Sequence, residues 1–205
     1  DYHFAQSGVR RVAAIHDLKN RAYSESWLHH FTAEFQERGG SVVPVPFESG
    51  PDVDMAAIVR HALTGQPDAV LLITSALDAA RLAQRIREKD LRVLIFASQW
   101  ASTERLIELG GSAVEGIVLH SYFDRESKAP GLLRLRQAYR QRFLREPDFA
   151  SVAAYDATHA VLAGLAGRQG EQTLREALLT RGPFPGADEA VTFDRNGDSR
   201  RIPRV

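Results

Sequence analysis

The chain has 205 residues, and its contents of 44% hydrophobic and 25% charged residues are ordinary for a globular protein. Lys plus Arg and Asp plus Glu each total 26, so the formal net charge is zero, and no segment is basic enough to indicate a nucleic-acid partner. No apolar run approaches the roughly 20 residues that cross a bilayer, so we expect no direct membrane insertion. Cysteine is absent, which excludes disulfides, thiol catalysis and Cys-based metal sites.

The first part of the chain predicts strands and helices in alternation. Residues 1–7 are expected to end a helix at Gly8, and residues 12–15 form a buried-strand run that ends at His16-Asp17. After the polar loop LKNRA, apolar residues recur every fourth position, the period of a helix with one buried face. The alternation predicts strands at residues 12–15, 41–45, 69–73, 93–97 and 116–119. It predicts helices at residues 23–38, 54–63 and 102–109, and a further helix that follows a cap at Ser75 or Asp78.

The last third of the chain has a different pattern. A polar connector, HSYFDRESKAP, leads into three successive helices, predicted at residues 131–144, 150–165 and 172–179. A hairpin follows, in which Asn196-Gly197 is the turn between AVTF and IPRV. Two short strands do not form a stable sheet alone, so this tail needs a partner surface.

Five strands that alternate with helices through short loops predict an α/β fold with a doubly wound parallel sheet. Pro44 places the second strand at an edge of that sheet, because proline cannot donate a ladder hydrogen bond. In open α/β sheets, ligands bind at the carboxyl ends of the strands. The residues that follow the strands are therefore the candidates for function.

Nucleotide and phosphoryl chemistry find no support at these positions. The first strand-to-helix turn, HDLKNRAYS, has neither the dinucleotide-binding glycines nor a phosphate-binding GxxxxGK[ST] loop. A phosphoacceptor receiver domain would need an aspartate and a lysine after strands three and five, where Thr74 and His120 stand instead. The sequence gives no reason to expect a cofactor.

Catalytic and metal sites are also disfavoured. No serine near a strand end lies in a GxSxG motif, so capping and loop roles are favoured over nucleophilic catalysis, although a histidine at a strand end could approach a serine in space. The histidines lack the spacing of metal ligands, and DRNGD is better interpreted as a hairpin turn than as a calcium loop. The residues considered are Ser24, Ser75, Ser98, Ser121, His16 and His120 for catalysis and His3, His29, His30, His61 and His159 for metals.

A binding cleft is the remaining interpretation. Aromatic rings with a few hydrogen-bonding groups are what a small-molecule pocket needs. Residues of this kind fall at or just past the ends of strands one, three, four and five, and they are Tyr23, Ser75, Gln99, Trp100 and Tyr122.

The order and spacing of several motifs resemble the type I periplasmic binding proteins, and most closely the leucine/isoleucine/valine-type substrate-binding proteins of ABC transporters. The motifs are VAAIHDLKNRAYSESW, PDAVLLITSALDAARLAQRIRE, VLIFASQWAST, EGIVLHSYFD, FLREPDFASVAAYDATHAVLAGL and VTFDRNGDSRR. Together they cover nearly the whole chain.

The resemblance implies two α/β lobes that close on a ligand. Residues 8–120 would form the second lobe, and residues 121–205 would form the crossover and the C-terminal part of the first lobe. The opening strands of that first lobe are expected to be absent from this sequence, so half of the ligand site would be absent as well.

The resemblance also implies roles for single residues. Tyr23 matches the tyrosine of the family's "YG" motif, and Ser75, Ala76 and Leu77 match the contact loop after strand three. Gln99 falls where amino-acid binders place a glutamate for the ligand's ammonium group. Two departures are Ser24 in place of the motif's glycine and the neutral Gln99. We therefore expect a ligand with less need for ammonium recognition, such as an aromatic or aliphatic carboxylate or an amide.

The expected function is that of an extracytoplasmic, periplasmic receptor and not an enzyme. It would deliver a small molecule, an amino acid or a related carboxylate or amide, to the membrane permease of an ABC importer through hinge closure of its lobes. The alternative is a ligand-binding sensory domain of a signalling or regulatory protein. An enzyme is a third interpretation.

Overall fold

The structure is a computed structural model that describes residues 8–120 and 123–199. The chain divides into two compact units, Asp1–His120 and Ser121–Val205. The helix end expected at residues 1–7, the site candidate Tyr122 and the strand expected at IPRV lie outside the described residues.

The first unit contains a five-stranded sheet in which every pairing is parallel. Its strands are β1 (Arg11–Asp17), β2 (Ser41–Phe47), β3 (Ala69–Ile73), β4 (Leu94–Ala97) and β5 (Val118–Leu119), and their order in the sheet is β2-β1-β3-β4-β5. Residue Ala14 of the first strand lies opposite Pro44 on one side and Leu71 on the other. The edge position predicted for the second strand from Pro44 is confirmed.

Helices cover both faces of this sheet, which confirms the predicted doubly wound α/β fold. On one face, Leu72 and Ile95 of the sheet belong to a core with Leu82 from a flanking helix. On the other face, Leu71 packs in a core with Phe35. All five residues of β3 are buried, because a central parallel strand is covered on both sides. The helices are α1 (Arg21–Glu37), α2 (Met55–Leu63), α3 (Ala76–Arg87) and α4 (Glu104–Gly110).

Two of the boundaries that differ from the sequence prediction lie at the start of the first helix and in the fifth strand. The loop expected before α1 contains a 3₁₀ turn, Leu18–Asn20, and α1 begins at Arg21 instead of Tyr23. The fifth strand is shorter than residues 116–119, because Gly116 has a φ of 74°, which extended backbone does not adopt.

The second unit contains α5 (Pro130–Phe143), α6 (Phe149–Ala166) and α7 (Leu174–Arg181). The last helix begins two residues later than predicted because Thr173 and Glu176 form a capping box, in which each side chain accepts a hydrogen bond from the other residue's backbone.

The predicted hairpin turn at Asn196-Gly197 is confirmed. Gly197 has a φ of 96°, its N–H donates to the Asp194 carbonyl, and Phe193 pairs antiparallel with Ser199. Val191, in the arm before the turn, pairs antiparallel with Phe184, and the sequence did not reveal this contact. The tail therefore finds its partner surface within its own unit.

A buried carboxylate ties this tail segment to α6. The side chain of Asp156 accepts a hydrogen bond of 2.6 Å from the backbone N–H of Ala187. Because an unpaired buried N–H costs about 1–3 kcal/mol, this contact stabilises the strand pairing that follows at Val191.

We expect Leu82→Ala to lower the free energy of unfolding by about 2–5 kcal/mol, since it removes a large side chain from a close-packed core. Leu82 of α3 is 0% exposed, whereas Leu91, in the loop after the same helix, is 79% exposed. Leu91→Ala should therefore change stability by less than about 0.5 kcal/mol. Urea unfolding of the two variants measures both values, and equal losses would contradict the placement of Leu82 in the core.

Candidate functional site

Polar and aromatic residues gather at the carboxyl edge of the sheet. His16 pairs with Ile73, and Leu72 pairs with Ala97, so the residues that follow β1, β3 and β4 lie side by side. We call these residues the carboxyl-edge group, and they are Asp17, Tyr23, Thr74, Ser75, Ser98, Gln99 and Trp100.

The structure brings the two predicted aromatic candidates into contact. The rings of Tyr23, in the first turn of α1, and Trp100, in the 3₁₀ turn Gln99–Ala101, lie edge to face with centroids 5.6 Å apart. Both side chains are half-buried. Edge-to-face packing fixes the orientation of the two rings relative to each other.

Gln99 lies directly beside this aromatic pair in the chain. It opens the 3₁₀ turn after β4 and is only 9% exposed. Within residues 8–120 and 123–199, its side-chain amide has no hydrogen-bond partner. A side-chain amide can donate two hydrogen bonds and accept two, so Gln99 keeps its full capacity for a bound molecule.

Ser75 and Ala76 both have structural roles, and only the capping role of Ser75 was predicted from the sequence. Ser75 is the N-cap of α3, where its Oγ accepts a hydrogen bond from the Asp78 N–H, so of the two predicted caps Ser75 is the one used. The Ala76 methyl group is buried in the core, so any contact of Ala76 with a ligand must use its backbone.

Asp17 holds two loops at the end of β1. Its Oδ1 accepts hydrogen bonds from the N–H groups of Lys19, at 3.0 Å, and Ser49, at 3.1 Å. The carboxylate is buried, and its ligands are backbone donors from the turns after β1 and β2. An acidic residue directly after a buried strand was the only signal for this role, because Ser49 is distant in sequence.

Ser24 holds the start of α1 against Asp17. Its hydroxyl donates a 2.6 Å hydrogen bond to the Asp17 carbonyl oxygen. The serine that departs from the family's "YG" motif is therefore engaged in holding Tyr23 next to the end of β1. This contact supports a structural role over a nucleophilic one.

A second buried carboxylate ties α3 to the loop after β2. Arg81 Nη1 lies 3.2 Å from Asp78 Oδ1 and donates to the Gly50 carbonyl at 3.4 Å. Asp78 Oδ2 also accepts from the Ser75 hydroxyl at 3.3 Å. The loop that contains Ser49 and Gly50 is consequently held from two sides, and sequence reasoning had not identified these contacts.

The remaining polar groups of this edge are neutral. The hydroxyls of Thr74 and Ser98 are buried, and neither has a hydrogen-bond partner in the part of the chain that the structure describes. Burial lowers the pKa of His120, which follows β5, so this imidazole is uncharged at neutral pH.

Across residues 8–120 and 123–199 we find no cluster of His, Asp or Glu that could hold a metal ion, and no helix with the length and apolar character of a membrane span.

Comparison with protein families gives a match over residues 1–201 to the model described as "Periplasmic binding protein". The chain belongs to the periplasmic binding protein family. The resemblance to type I periplasmic binding proteins is thus confirmed. No curated protein sequence matches the chain.

Solved structures of periplasmic binding proteins share the fold. A leucine binding protein from Thermotoga maritima is 28% identical with a TM-score of 0.87, and 98% of this chain aligns with 58% of that chain. The branched-chain amino acid transporter substrate binding protein LivJ from Streptococcus pneumoniae, solved with isoleucine, is 17% identical with a TM-score of 0.82, over 98% of this chain and 57% of that one. A fatty acid ABC transporter substrate-binding protein from Thermomonospora curvata is 22% identical with a TM-score of 0.71, over 80% and 43%.

The chain therefore spans less than three fifths of the length of each of these structures. The leucine binding protein exceeds the other two in identity to this chain. At the lower identities, the likeness carries the fold alone.

We expect Asp17→Ala to lower the free energy of unfolding by about 1–3 kcal/mol, since it leaves the Lys19 and Ser49 N–H groups without their acceptor. The matched control is Asp52→Ala, in the β2–α2 loop that contains Ser49. Because Asp52 is exposed, its removal should cost less than about 0.5 kcal/mol. Urea unfolding gives the stabilities, and hydrogen exchange should show faster exchange at Ser49 only in Asp17→Ala. Unchanged exchange at Ser49 would contradict the proposed anchor.

Proposed function

We propose that the protein is a non-catalytic receptor that binds a small molecule at the carboxyl edge of residues 8–120. The observation that carries this proposal is the contact of Tyr23 with Trp100 beside the unpartnered amide of Gln99. Two aromatic rings and a polar group at the strand ends of a doubly wound sheet are the composition of a ligand wall. Membership of the periplasmic binding protein family supports the same function.

The receptor would work in the periplasm, or outside the cytoplasm, and would hand its ligand to the membrane permease of an ABC importer. Hinge closure of two lobes around the ligand would give the permease a surface that differs between the empty and the loaded receptor. The matched leucine binding protein supports this assignment. The alternative is a sensory domain that uses the same closure to signal.

We expect Trp100→Ala to weaken ligand binding at least about 30-fold, which corresponds to about 2 kcal/mol for a buried aromatic anchor. The chain has two tryptophans, and Trp27, which stacks on Phe31 one turn beyond Tyr23, provides the control. Trp27→Ala should lower stability and leave affinity unchanged. Calorimetric titration of the full-length protein with branched-chain and aromatic acids, with and without an α-amino group, measures the affinities. Equal affinity losses in both variants would contradict a binding role specific to Trp100.

We propose further that residues 8–120 form the second lobe and residues 121–205 the C-terminal part of a first lobe that is incomplete in this sequence. Helix α6 supports this division. Its buried residues recur every fourth position along one narrow row, and its one charged side chain, Asp156, belongs to that row. Val161, Leu162 and Leu165 are exposed.

An 18-residue helix without an exposed charged side chain is typical of a helix covered on several sides. We propose that the exposed apolar residues of α6 are covered by the part of the first lobe that lies outside the present sequence. The length comparison supports that occupant, since the chain spans only 58% of the leucine binding protein.

We expect Leu162→Glu to affect stability differently in the 205-residue chain and in the full-length protein. In the 205-residue chain Leu162 is 57% exposed, so the substitution should cost less than about 0.5 kcal/mol. In the full-length protein it would bury a charge and cost about 2–4 kcal/mol. Leu91→Glu, at an exposed site of the other unit, is the control and should be neutral in both. Equal small effects of Leu162→Glu in both lengths, measured by urea unfolding, would contradict the covering lobe.

A further inference from the structure

The carboxylates in the segments that carry the carboxyl-edge group are already engaged by the protein itself. A ligand's ammonium group needs a carboxylate with free lone pairs, because charge-assisted hydrogen bonds are roughly twice as strong as neutral ones. The carboxyl-edge group lies in the segments 16–24, 74–78 and 98–101, and these segments contain two acidic residues, Asp17 and Asp78.

 Glu25 lies just beyond these segments on the exposed side of α1, where it pairs with Arg21 at 3.5 Å. The carboxylates that remain to be considered are those of Asp17 and Asp78.

Neither of these two carboxylates is exposed to a ligand, since Asp17 is 1% exposed and Asp78 is 5% exposed. Asp17 is buried and accepts from two backbone N–H groups, and the loops after β1 and β2 depend on it. Asp78 is buried and is engaged by the Arg81 guanidinium and the Ser75 hydroxyl. Removing either carboxylate from its protein donors would leave buried polar groups without partners, which costs more than a new ligand contact returns.

The groups of this edge that keep hydrogen-bonding capacity are uncharged. The Gln99 amide has no partner among the described side chains and backbone groups, and it stands next to Trp100. The hydroxyls of Thr74 and Ser98 are also neutral, but both residues are 0% exposed, so the Gln99 amide is the polar group that this surface presents. Such a surface suits an apolar or aromatic body with a neutral or acceptor group, and it offers an ammonium no counter-charge.

On this basis, and resting on the proposed receptor function, we propose that the ligand is an organic acid or amide without an α-ammonium group. Its apolar body would lie against Tyr23 and Trp100, and the Gln99 amide would donate to one of its oxygen atoms. The free amino acids that the names of the matched leucine binding protein and the isoleucine complex indicate would be the weaker ligands here.

The test compares acids that differ only in the amino group, namely leucine with 4-methylpentanoate and phenylalanine with 3-phenylpropanoate. Calorimetric titration of the full-length protein should show each acid without the amino group binding at least about tenfold more tightly than its amino-acid partner. Tighter binding of leucine or phenylalanine would overturn this inference and leave the receptor function standing. If none of the four compounds bound, the inference would fall with the receptor assignment.

Gln99→Glu supplies the missing counter-charge and gives a second readout. The ratio of leucine affinity to 4-methylpentanoate affinity should rise at least about tenfold, because a carboxylate can now form a charge-assisted bond with the ammonium. The matched control is Gln36→Glu, which makes the same change at an exposed position near the opposite end of α1. An unchanged ratio in Gln99→Glu, with the fold intact by circular dichroism, would contradict the role of Gln99.

Discussion

The arrangement of the carboxyl edge depends on one residue, Asp17. Its carboxylate accepts from the turns after β1 and β2, and its carbonyl accepts from Ser24 at the start of α1. Three chain segments are thereby joined at the end of a single buried strand. Since the carboxylate is buried, each of these hydrogen bonds is costly to break.

The position of the aromatic pair follows from this constraint. Tyr23 directly precedes Ser24, so the hydrogen bond from Ser24 to the end of β1 limits where the phenol ring can lie. Trp100 is fixed independently, by the 3₁₀ turn that follows β4. A ligand wall built from two separately anchored rings is preorganised, and little side-chain entropy remains to be lost on binding.

The fold could be predicted from the sequence because its signals are local. The apolar run of β3 and the four-residue spacing in α1 each report burial within one element, and the alternation of elements limits the topology. Long-range contacts gave no such signal. The bond from Ser49 to Asp17 and the pairing of Val191 with Phe184 join residues whose proximity exists only in the folded chain.

The shared fold does not identify the ligand. A TM-score of 0.87 to the leucine binding protein shows that the backbone is shared, but a backbone does not specify what it binds. In this chain the fold itself engages both buried carboxylates of the carboxyl edge, through Asp17 and Asp78. The choice of ligand is therefore left to residues that the fold does not require, and Gln99 is the clearest of them because its amide is nearly buried and has no partner in the described chain.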